Sequence, residues 1–388
     1  MSATPILPGS ATLGVLGGGQ LGRMFVHAAQ ELGYATVVLD PDAASPAGAI
    51  AHHHIRSDYL DEQGLAELAQ RCDALTTEFE NVPAPALASL AQQRQVAPGA
   101  EAVAICQDRL REKAHFGGCG VPCAPHAEIT NEAQLRAVDA SLLPGILKTA
   151  SMGYDGKGQV TVRTADELAA AWGELKRVRC VLEKRLDLAF EVSVIVARNA
   201  QGELVHFPLQ QNLHRGGILA VTTVPAPDVT PELQAQAVRA AEAIAASMGY
   251  VGVLCVEFFV LRDGSLVANE MAPRPHNSGH YTLDACDVSQ FDLQVRAMTG
   301  LPLPAPRLHS PTIMLNLLGD LWFRHGESEG TPPWDRVLTL PGTHLHLYGK
   351  QSARPRRKMG HLNITGASAT QVREVALRCC ELLGLEPF

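Results

Sequence analysis

The segment Val253–His280 constrains the fold of this chain more than any other, because it reads as two apolar strands joined by a tight turn. Asp263-Gly264 is typical of a two-residue hairpin turn, since both residues tolerate a positive φ. With that turn Arg262 lies opposite Ser265, and the pairing of the other strand residues follows by counting back. The segment therefore predicts a β-hairpin of defined register, followed by a polar loop.

In that register Glu257 lies opposite Glu270, although the strand around Glu257 is otherwise apolar. Directly opposed side chains share one face of a sheet, with Cβ atoms about 5 Å apart. Two carboxylates this close repel each other unless a divalent cation lies between them. Asn269 adds an amide beside the pair. We therefore predict a metal site at Glu257 and Glu270; the alternatives are a solvated surface hairpin and a one-residue bulge that would change the register.

The loop after the hairpin is rich in polar groups and contains Arg274, His276, Asn277 and Ser278. A guanidinium group and several hydrogen-bonding side chains in one loop are suited to an anion. We expect this loop to bind part of a substrate.

The first hundred residues begin with the pattern of a βαβ unit. The apolar strand Ala11–Gly17 runs into the glycine-rich stretch Gly17–Arg23, then into a helical pattern, and Tyr34–Leu39 is the next strand. The spacing G-x-G-x-x-G lets backbone N–H groups at a helix N-terminus approach an anion. Asp40 stands near the position of the ribose-binding acid in dinucleotide folds. Three interpretations stay open here: NAD or FAD, a different phosphate ligand, or a structural turn.

A third strand is predicted at Ala74–Phe79, and Glu80 follows it directly. Open α/β sheets bind ligands at the carboxyl ends of their strands, so Glu80 is a candidate ligand residue. A helix-cap region is the alternative. The run His52–His54 does not predict a metal site, because consecutive side chains point in different directions.

The middle of the chain predicts a small α+β unit with a glycine-rich loop. A helix at Ala100–Phe116 carries Arg109, and Lys148 interrupts an apolar strand. The stretch Ser151–Gln159 follows, with three glycines and Lys157. Such a loop can close over phosphates and offer backbone N–H groups to them. A flexible hairpin tip is the alternative.

A basic cluster near the C-terminus consists of Lys350, Arg354, Arg356, Arg357 and Lys358. Such clusters are usually solvated faces. The neighbouring stretch Gly360–Asn363 keeps an anion site open as an interpretation.

Composition excludes several classes of protein. A chain of 388 residues predicts two or three domains. The formal charge of −8 argues against non-specific nucleic-acid binding. No apolar span of about 18 residues occurs and no signal-peptide pattern is seen, so we expect no membrane helix and no secretion. The nine scattered cysteines form no zinc or disulfide pattern, and predict reduced thiols in the cytoplasm.

Four stretches together resemble the ATP-grasp ligases, namely Gly17–Arg23, Gly153–Gln159, Asn269–His280 and His344–Asn363. The resemblance extends over essentially the whole chain. It implies a fold of the α/β and α+β class, an ATP-grasp fold with an N-terminal dinucleotide-binding-like (pre-ATP-grasp) domain, a small lid subdomain and a C-terminal domain. The expected boundaries are residues 1–100, 101–186, 187–308 and 309–388.

Within that family the stretches are similar to the branch that carboxylates an aminoimidazole ribonucleotide in de novo purine biosynthesis. The implied reaction is the ATP- and bicarbonate-dependent carboxylation of the exocyclic amine of 5-aminoimidazole ribonucleotide, through carboxyphosphate, with release of ADP and phosphate. The implied metal is Mg²⁺ or Mn²⁺. The resemblance also implies a homodimer, whereas the expectation of no nucleic-acid or membrane partner comes from charge and hydropathy. In this branch the loop Gly17–Gly22 holds the ribose phosphate of the substrate rather than a dinucleotide.

The same resemblance assigns expected roles to individual residues. The implied ATP-binding residues are Arg109, Lys148, Gly153, Tyr154, Asp155, Gly156, Lys157, Gly158, Gln159, Glu183, Lys184, Arg185, Leu186, Glu191, His214, Asn269 and Glu270. The implied ribonucleotide-binding residues are Gln20, Leu21, Glu80, Tyr154, Asp155, Arg274, His276, Asn277, Ser278, Lys350 and Arg357. Glu257 and Glu270 would bind the metal, and Arg274, Lys148 and Asp155 would be catalytic. Ser151-Met152 departs from the family pattern of Arg or Thr followed by Gly, which predicts a stiffer hinge for the lid loop.

Three other functions stay open at this level. One is a sister ATP-grasp enzyme that adds formate to a glycinamide ribonucleotide, which differs near Glu80 and at Lys350 and Arg357. The second is an NAD-dependent oxidoreductase built on Gly17–Gly22, which leaves the glutamate pair without a role. The third is a catalytically silent nucleotide-binding protein of the same fold.

Overall fold

The computed structural model describes residues 4–151, 153, 158–324 and 330–388. The first part of the chain forms an open parallel sheet with strands β1 (Thr12–Leu16), β2 (Ala35–Leu39), β3 (His53–Ile55), β4 (Ala74–Thr77) and β5 (Gln95–Val96). The helices around it are α1 (Gln20–Glu31), α2 (Glu62–Arg71) and α3 (Ala84–Leu90). Helix α1 packs with the apolar face that its sequence predicts, since Leu21, Met24, Phe25 and Ala28 are buried at helical spacing.

The strand order β3-β2-β1-β4-β5 determines where this sheet can bind a ligand. Strands β1 and β4 are neighbours, but the chain leaves β1 toward β2 on the opposite side. A crevice therefore opens between the loops that follow β1 and β4. The glycine-rich stretch begins in the first loop at Gly17–Gly19 and continues into the first turn of α1, and Glu80 lies in the second loop.

The second part of the chain begins with two helices, α4 (Ala100–Cys106) and α5 (Arg109–Gly118). The prediction of one helix over Ala100–Phe116 is wrong, because the first helix ends at Cys106 and Asp108 caps the start of the second. Its carboxylate accepts hydrogen bonds from the backbone N–H groups of Leu110 and Arg111, at 2.9 and 3.1 Å. A side-chain oxygen at this position satisfies amides that the helix leaves unpaired.

A small antiparallel sheet follows, in the order β6-β9-β7-β8. Its strands are β6 (His126–Ile129), β7 (Gly145–Thr149), β8 (Gln159–Val162) and β9 (Cys180–Lys184), and its helices are α6 (Glu132–Arg136) and α7 (Ala165–Glu174). Leu147, Leu168 and Trp172 belong to a buried cluster of its own. Lys148 lies on β7, immediately before the glycine-rich loop.

The remaining strands form one large sheet in the order β15-β14-β10-β12-β13-β16-β18-β17, with β11 paired to β10. They are β10 (Leu188–Arg198), β11 (Leu204–His206), β12 (Gln210–Arg215), β13 (Ile218–Val224), β14 (Gly252–Leu261), β15 (Leu266–Ala272), β16 (Thr312–Leu318), β17 (Thr343–Leu347) and β18 (Lys358–Thr365). The helices are α8 (Pro231–Ser247), α9 (Thr282–Ala285), α10 (Gln290–Thr299), α11 (Trp334–Val337) and α12 (Ala369–Leu383). Strands β13 and β16 pair, so this sheet continues across the boundary predicted at residues 308 and 309. The division into four domains stays a prediction. None of the helices in the described ranges is long and apolar enough to cross a membrane.

The hairpin of β14 and β15 has a different turn from the one that its sequence predicts. Leu261 N–H donates to the carbonyl of Ser265 at 2.9 Å, so the loop has three residues and ends at Gly264, whose φ is +84°. The predicted pairing of Arg262 with Ser265 is wrong. Val260 instead lies opposite Leu266.

A β-bulge corrects this offset further along the same hairpin. Phe258 pairs with Ala268 and Glu257 pairs with Glu270, so Asn269 is an extra residue on β15. The predicted pairing of Glu257 with Glu270 is thus confirmed. The pairing arises because the three-residue turn shifts the register by one residue and the bulge at Asn269 shifts it back. Counting residues from the turn does not reveal either shift.

Candidate active site

One cleft of about 1020 Å³ opens where the three sheets meet. Most of the predicted site residues line it, and they are Gln20, Leu21, Glu80, Arg109, Lys148, Gly153, Gln159, Glu191, His214, Glu257, Asn269, Glu270, Arg274, His276, Asn277, Lys350 and Arg357. These residues come from all three sheets and from the loops that connect them. Residues that are distant in sequence therefore share one solvent-filled space.

Other predicted residues lie elsewhere. Tyr154, Asp155, Gly156 and Lys157 fall outside the described residues, as does Met152 of the predicted hinge. The residues absent from the lining of the cleft are Gly158, Glu183, Lys184, Arg185, Leu186 and Ser278. Two of these, Glu183 and Ser278, are buried directly behind residues that do line it, and the others lie nearer the surface.

The predicted metal ligands lie side by side on β14 and β15. Glu257 is 8% exposed, and its carboxylate lies 3.0 Å from His276 Nε2. Burial alone would raise the pKa of Glu257, but the charges of His276 and His214 outweigh burial and lower that pKa. Glu270 is more exposed and lies 3.2 Å from Arg109 Nη1. Both carboxylates are thus held next to positive charge.

The bulge residue Asn269 supplies a test of whether this place suits a divalent cation. Its Oδ1 atom is buried and has no hydrogen-bond partner among the described residues. A buried, unpaired amide oxygen is costly unless another group binds it. Two carboxylates and an amide oxygen are also the ligand types that Mg²⁺ prefers. The residues present therefore fit the implied metal.

Lys148 is held at the cleft by a buried charge cluster. Glu183 lies 2.8 Å from Lys148 Nζ and 3.1 Å from Lys113 Nζ, and all three residues are less than 9% exposed. Burial would raise the pKa of Glu183, but the two ammonium groups lower it to about 2. One carboxylate thus balances two lysines, and a net positive charge is left to face the cleft at Lys148.

Strands β10 and β12 contribute a second pair to the same wall. Glu191 Oε2 lies 2.6 Å from His214 Nδ1. Burial would lower the pKa of His214, but the hydrogen bond with Glu191 and the charge of Glu257 raise it. The raised pKa favours the protonated form of an imidazole that lies near both metal-site carboxylates.

An ion pair across the cleft connects the first sheet with the large one. Arg274 Nε donates to Glu80 Oε2 at 2.5 Å, and both residues line the cleft. Burial would raise the pKa of Glu80, but Arg274 lowers it to about 2. The same pairing raises the pKa of Arg274. Both groups are therefore charged, and the orientation of the guanidinium group is fixed through its Nε atom.

The glycine-rich stretch after β1 was predicted to offer its backbone N–H groups to an anion in the cleft. In the structure these N–H groups are bonded to side chains of the protein. Gly19 and Gly22 N–H donate to the two oxygens of Glu78, at 2.6 and 2.8 Å, and Gly18 N–H donates to Asp40 at 2.7 Å. Carboxylates of the chain itself occupy the positions that a phosphate would take. Asp40, which the dinucleotide interpretation would place on a ribose, is used inside this loop.

Sequence reasoning missed several residues of the site. One is Glu78, which accepts hydrogen bonds from the backbone N–H groups of Gly19 and Gly22. It stands two residues before Glu80, at the same end of the predicted strand, and this position was its signal in the sequence. Glu112 is buried at the cleft and accepts a hydrogen bond from Met271 N–H at 2.7 Å. Burial raises the pKa of Glu112 to about 8. Its signal was its spacing from Arg109, three residues earlier on the same helix.

The C-terminal basic cluster lies in the site and is not a remote solvated face. Besides Lys350 and Arg357, Arg354, Arg356 and Lys358 also line the cleft. Backbone carbonyls anchor two of these side chains, since Arg357 Nη1 donates to Ser352 at 2.8 Å and Lys350 Nζ donates to Lys358 at 2.6 Å. Five cations at one end of the cleft are suited to a phosphate group.

Three family models match consecutive parts of the chain. A ribonucleotide synthetase preATP-grasp domain matches residues 10–107, an ATP-grasp domain matches residues 114–291, and a phosphoribosylaminoimidazole carboxylase C-terminal domain matches residues 312–375. Together these matches account for most of the cleft.

Individual relatives are similar over nearly their whole length. The chain is 44% identical to the N5-carboxyaminoimidazole ribonucleotide synthase of Brucella melitensis, over 93% of this chain and 98% of the relative. A crystal structure of an ADP complex of N5-carboxyaminoimidazole ribonucleotide synthetase is 40% identical, with a TM-score of 0.90 over 99% of this chain and 98% of the other. The Aspergillus clavatus enzyme, solved with ADP and 5-aminoimidazole ribonucleotide, is 32% identical, with a TM-score of 0.88 over 97% and 99%.

Proposed function

The chain belongs to the family of N5-carboxyaminoimidazole ribonucleotide synthases, which are ATP-grasp ligases of purine biosynthesis, and on that premise we propose how its cleft carries out the reaction. ATP transfers its γ-phosphate to bicarbonate, and the resulting carboxyphosphate carboxylates the exocyclic amine of 5-aminoimidazole ribonucleotide. The products are 5-(carboxyamino)imidazole ribonucleotide, ADP and phosphate.

One observation carries this proposal above the others. The cleft brings together a buried lysine from the small sheet with a carboxylate pair, an arginine and a basic cluster from the large sheet and its loops, and Glu80 after the first sheet orients that arginine. Each of these groups can act in the transfer of a phosphoryl group to bicarbonate or in the reaction of the resulting carboxyphosphate with the amine of the ribonucleotide. A dinucleotide-dependent oxidoreductase would leave these groups unused, and the loop amides that it needs are bonded to Glu78 and Asp40.

We assign ATP to the side of the cleft formed by the small sheet. Arg109 and Lys148 contact its phosphates, and the loop Gly153–Gln159 covers them. The segment Glu183–Leu186 holds the adenine edge, and Glu191 the ribose hydroxyls, with His214 alongside. Glu183 in addition keeps Lys148 in place through the 2.8 Å ion pair.

Glu257 and Glu270, with Asn269 beside them, would hold Mg²⁺. When bound, this ion neutralises charge on the transferring phosphoryl group. His276 keeps Glu257 ionised, and Arg109 provides positive charge next to Glu270. Lys148 adds a cation on the opposite wall, where charge develops on the phosphoryl oxygens.

We propose that Arg274 holds bicarbonate and then carboxyphosphate. Its planar guanidinium group can bind a carboxylate through two parallel hydrogen bonds. Nε of Arg274 donates to Glu80 and Nη1 donates to the carbonyl of Pro275 at 3.2 Å. Each Nη atom carries two N–H groups, so the guanidinium group keeps donors for the anion. Asp155 is the remaining residue that we assign to catalysis, from the family resemblance alone.

The ribonucleotide is assigned to the end of the cleft formed by the first sheet and the basic cluster. The residues that we propose for it are Gln20, Leu21, Glu80, Tyr154, Asp155, Arg274, His276, Asn277, Ser278, Lys350 and Arg357. Because Glu78 occupies the amides of the glycine-rich loop, the basic cluster is the better supported position for the substrate phosphate.

The reaction can be tested by ADP release with and without each co-substrate. We expect turnover to need both bicarbonate and 5-aminoimidazole ribonucleotide, and ¹³C-bicarbonate to label the product. Turnover with glycinamide ribonucleotide and formate would instead support the sister enzyme. ADP release that is independent of bicarbonate would contradict the proposal.

We further propose a cytoplasmic homodimer. The cytoplasmic location is supported by the nine cysteines, all of which are free. The dimer rests on the family resemblance, and light scattering coupled to gel filtration tests it.

A further inference from the structure

Three side chains of different chemistry converge at the inner end of the cleft. The Sγ atom of Cys255, a carboxylate oxygen of Glu257 and a ring nitrogen of His276 all lie within 4.8 Å of one another. Cys255 is fully buried and Glu257 is 8% exposed, so these groups are withdrawn from bulk water. A thiol, a carboxylate and an imidazole at this spacing are the usual ligands of zinc.

The convergence follows from the pleat of β14 and from the loop after β15. Cys255 and Glu257 are two residues apart on one strand, so their side chains lie on the same face of the sheet. Ile195 and Ser193 of β10 lie opposite them, so this face changes from apolar to polar between the two positions. His276 reaches the boundary from the loop, with Nε2 3.0 Å from Glu257.

A buried chain of hydrogen bonds fixes the ring of His276. Its Nδ1 atom lies 2.9 Å from Ser278 Oγ, which lies 2.9 Å from Ser193 Oγ. Asn212 Nδ2 donates to Ser193 at 2.7 Å, and Thr222 Oγ1 donates to Asn212 at 2.9 Å. Metal-binding histidines are typically oriented in this way, by a partner on the nitrogen that does not bind the ion.

The geometry needs little change to accept an ion. Bonds of about 2.0–2.3 Å around a tetrahedral zinc place its ligand atoms roughly 3.3–3.7 Å apart. The three groups here lie within 4.8 Å, so shifts of about 1 Å bring them to those distances. His276 and Glu257 also line the cleft, which gives an ion a path from solvent and a water as its fourth ligand.

We propose that Cys255, Glu257 and His276 form a binding site for a thiophilic divalent cation of the Zn²⁺ type, distinct from the Mg²⁺ site of the ligase reaction. A thiolate and an imidazole favour Zn²⁺ strongly over Mg²⁺, which prefers oxygen ligands. Binding releases two protons to solvent, one from the thiol of Cys255 and one from Nε2 of His276, because the thiolate and the neutral imidazole are the ligands.

Occupation of this site has a consequence for turnover. Glu257 is shared between the two sites, and the ion would also occupy Nε2 of His276, a residue that we assign to the ribonucleotide. A bound Zn²⁺ ion therefore inhibits the ligase until a chelator removes it. This consequence rests on the proposed function, whereas binding of the ion does not.

Binding is tested on the full-length protein with Co²⁺ as a spectroscopic substitute for Zn²⁺. A thiolate bound to Co²⁺ gives a charge-transfer band in the near ultraviolet. We expect this band in the wild-type protein and its loss on addition of Zn²⁺. Cys255→Ser should lose the band, and Cys286→Ser, which changes another buried cysteine of the same apolar cluster, should keep it.

Two controls make the result decisive. A thermal melt shows whether Cys255→Ser is folded, and Cys255→Ala replaces it if it is not. An identical band in the folded Cys255 variant, or no band in the wild-type protein, overturns the proposal. Ser193→Ala keeps all three ligands and should weaken binding by roughly 10- to 100-fold, as loss of an outer-shell partner does.

Inhibition is tested separately at saturating Mg²⁺ and ATP. We expect Zn²⁺ to stop turnover of the wild-type enzyme and a chelator to restore it. The concentration of Zn²⁺ for half-inhibition should rise by at least about tenfold in Cys255→Ser, since a ligand is lost. Equal sensitivity of both proteins would mean that Zn²⁺ inhibits at another place, and would overturn this part of the proposal.

Discussion

Glu80, Glu183 and Glu257 are largely shielded from solvent at the cleft, and each is paired with a positively charged side chain. A buried carboxylate without such a partner would take up a proton, because burial disfavours its charged form. Glu112 illustrates this, since its surroundings hold its pKa at about 8. The charge state of each acid in the site therefore depends on one or two named neighbours.

Arg274→Lys tests the role of the guanidinium fork. Lysine keeps a positive charge next to Glu80 but cannot form two parallel hydrogen bonds with bicarbonate. We expect ATP binding to be retained and bicarbonate-dependent ADP release to fall by about 100-fold or more. Calorimetric titration with a non-hydrolysable ATP analogue and steady-state kinetics measure the two quantities. A kcat within threefold of the wild-type value would contradict the assignment.

Glu112→Gln tests the raised pKa of the buried carboxyl group. Between the unfolded pKa of about 4.5 and the folded pKa of about 8, the folded protein holds a proton that the unfolded chain has released. The contribution of Glu112 to stability is thus complete at low pH and is lost progressively across that window. The free energy of unfolding of the variant, relative to wild type, should rise with pH by as much as a few kcal/mol.

Urea denaturation at several pH values between 5 and 8.5 measures that difference. Glu232→Gln changes an exposed glutamate on α8 and serves as the matched control. A difference between Glu112→Gln and wild type that does not depend on pH would show that Glu112 is ionised in the folded protein.

Among the secondary-structure elements, helix α10 packs between the first sheet and the large sheet and forms hydrogen bonds with both. Phe291, Val295 and Met298 pack in a cluster with residues of α1 and β1. Buried Gln294 donates to Thr76 Oγ1 at 3.0 Å and to the carbonyl of Ala97 at 3.2 Å, and accepts from Val253 N–H at 2.7 Å. One side chain thus bridges β4 and β14, which carry the two walls of the cleft.

Gln294→Leu tests this bridge. Leucine fills a similar volume but leaves three buried polar groups without a partner, each of which costs about 1–3 kcal/mol. We expect the free energy of unfolding to fall by at least about 2 kcal/mol. Gln234→Leu, at an exposed position of α8, is the control in the same denaturation experiment. Equal stability of both variants would mean that Gln294 does not hold the two sheets together.

The bulge at Asn269 is a second device at this level, and its removal is informative. Deletion of Asn269 turns the bulge into a regular ladder, in which Ala268 still lies opposite Phe258 and Glu270 still lies opposite Glu257. The deletion therefore removes the amide and the local twist but keeps the carboxylate pair. We expect both the deletion and Asn269→Ala to raise the Mg²⁺ concentration for half-maximal activity by about tenfold. Circular dichroism checks the fold of both, and an unchanged Mg²⁺ requirement in both variants would contradict the metal-site assignment.

The cleft as a whole exists only where three sheets meet. Its carboxylate pair comes from β14 and β15, and its basic cluster comes from the segment between β17 and β18 and from the first residue of β18. Carboxylates and a basic cluster in one cleft are suited to a metal-bound triphosphate and a separate phosphate group that are held together. Binding of the ribonucleotide should thus be separable from binding of ATP.

Arg357→Ala tests this separation. Loss of a charged hydrogen bond to the phosphate should raise the KM for 5-aminoimidazole ribonucleotide by about 10- to 100-fold and leave the KM for ATP unchanged. Arg378→Ala, on the exposed face of α12, is the control and should change neither value. Equal increases in both KM values would place Arg357 at the ATP side.

Much of this architecture is predictable from the sequence because its signals are local. Apolar periodicity predicts α1, the glycine motif predicts the first βα turn, and the apolar run Val251–Val260 predicts a buried strand interrupted by one charge, Glu257. The fold class and the pairing of Glu257 with Glu270 were confirmed. The reaction was predictable as well, because the residues of a family motif stand in a fixed order along the chain and can be recognised without a structure.

Only the tertiary structure shows which polar groups satisfy one another. Glu78 fills the glycine-rich loop, Glu112 binds the backbone of Met271, and Ser193 supports His276 through Ser278. The partners in these contacts are separated by 56 to 159 residues and have no periodic relation. Their pairing depends on how the sheets pack, because a buried polar group forms its hydrogen bond with a partner that the tertiary structure places next to it. The sequence by itself determined the elements and the chemical inventory of the cleft, and the packing of three sheets decided the charge and direction of each group within it.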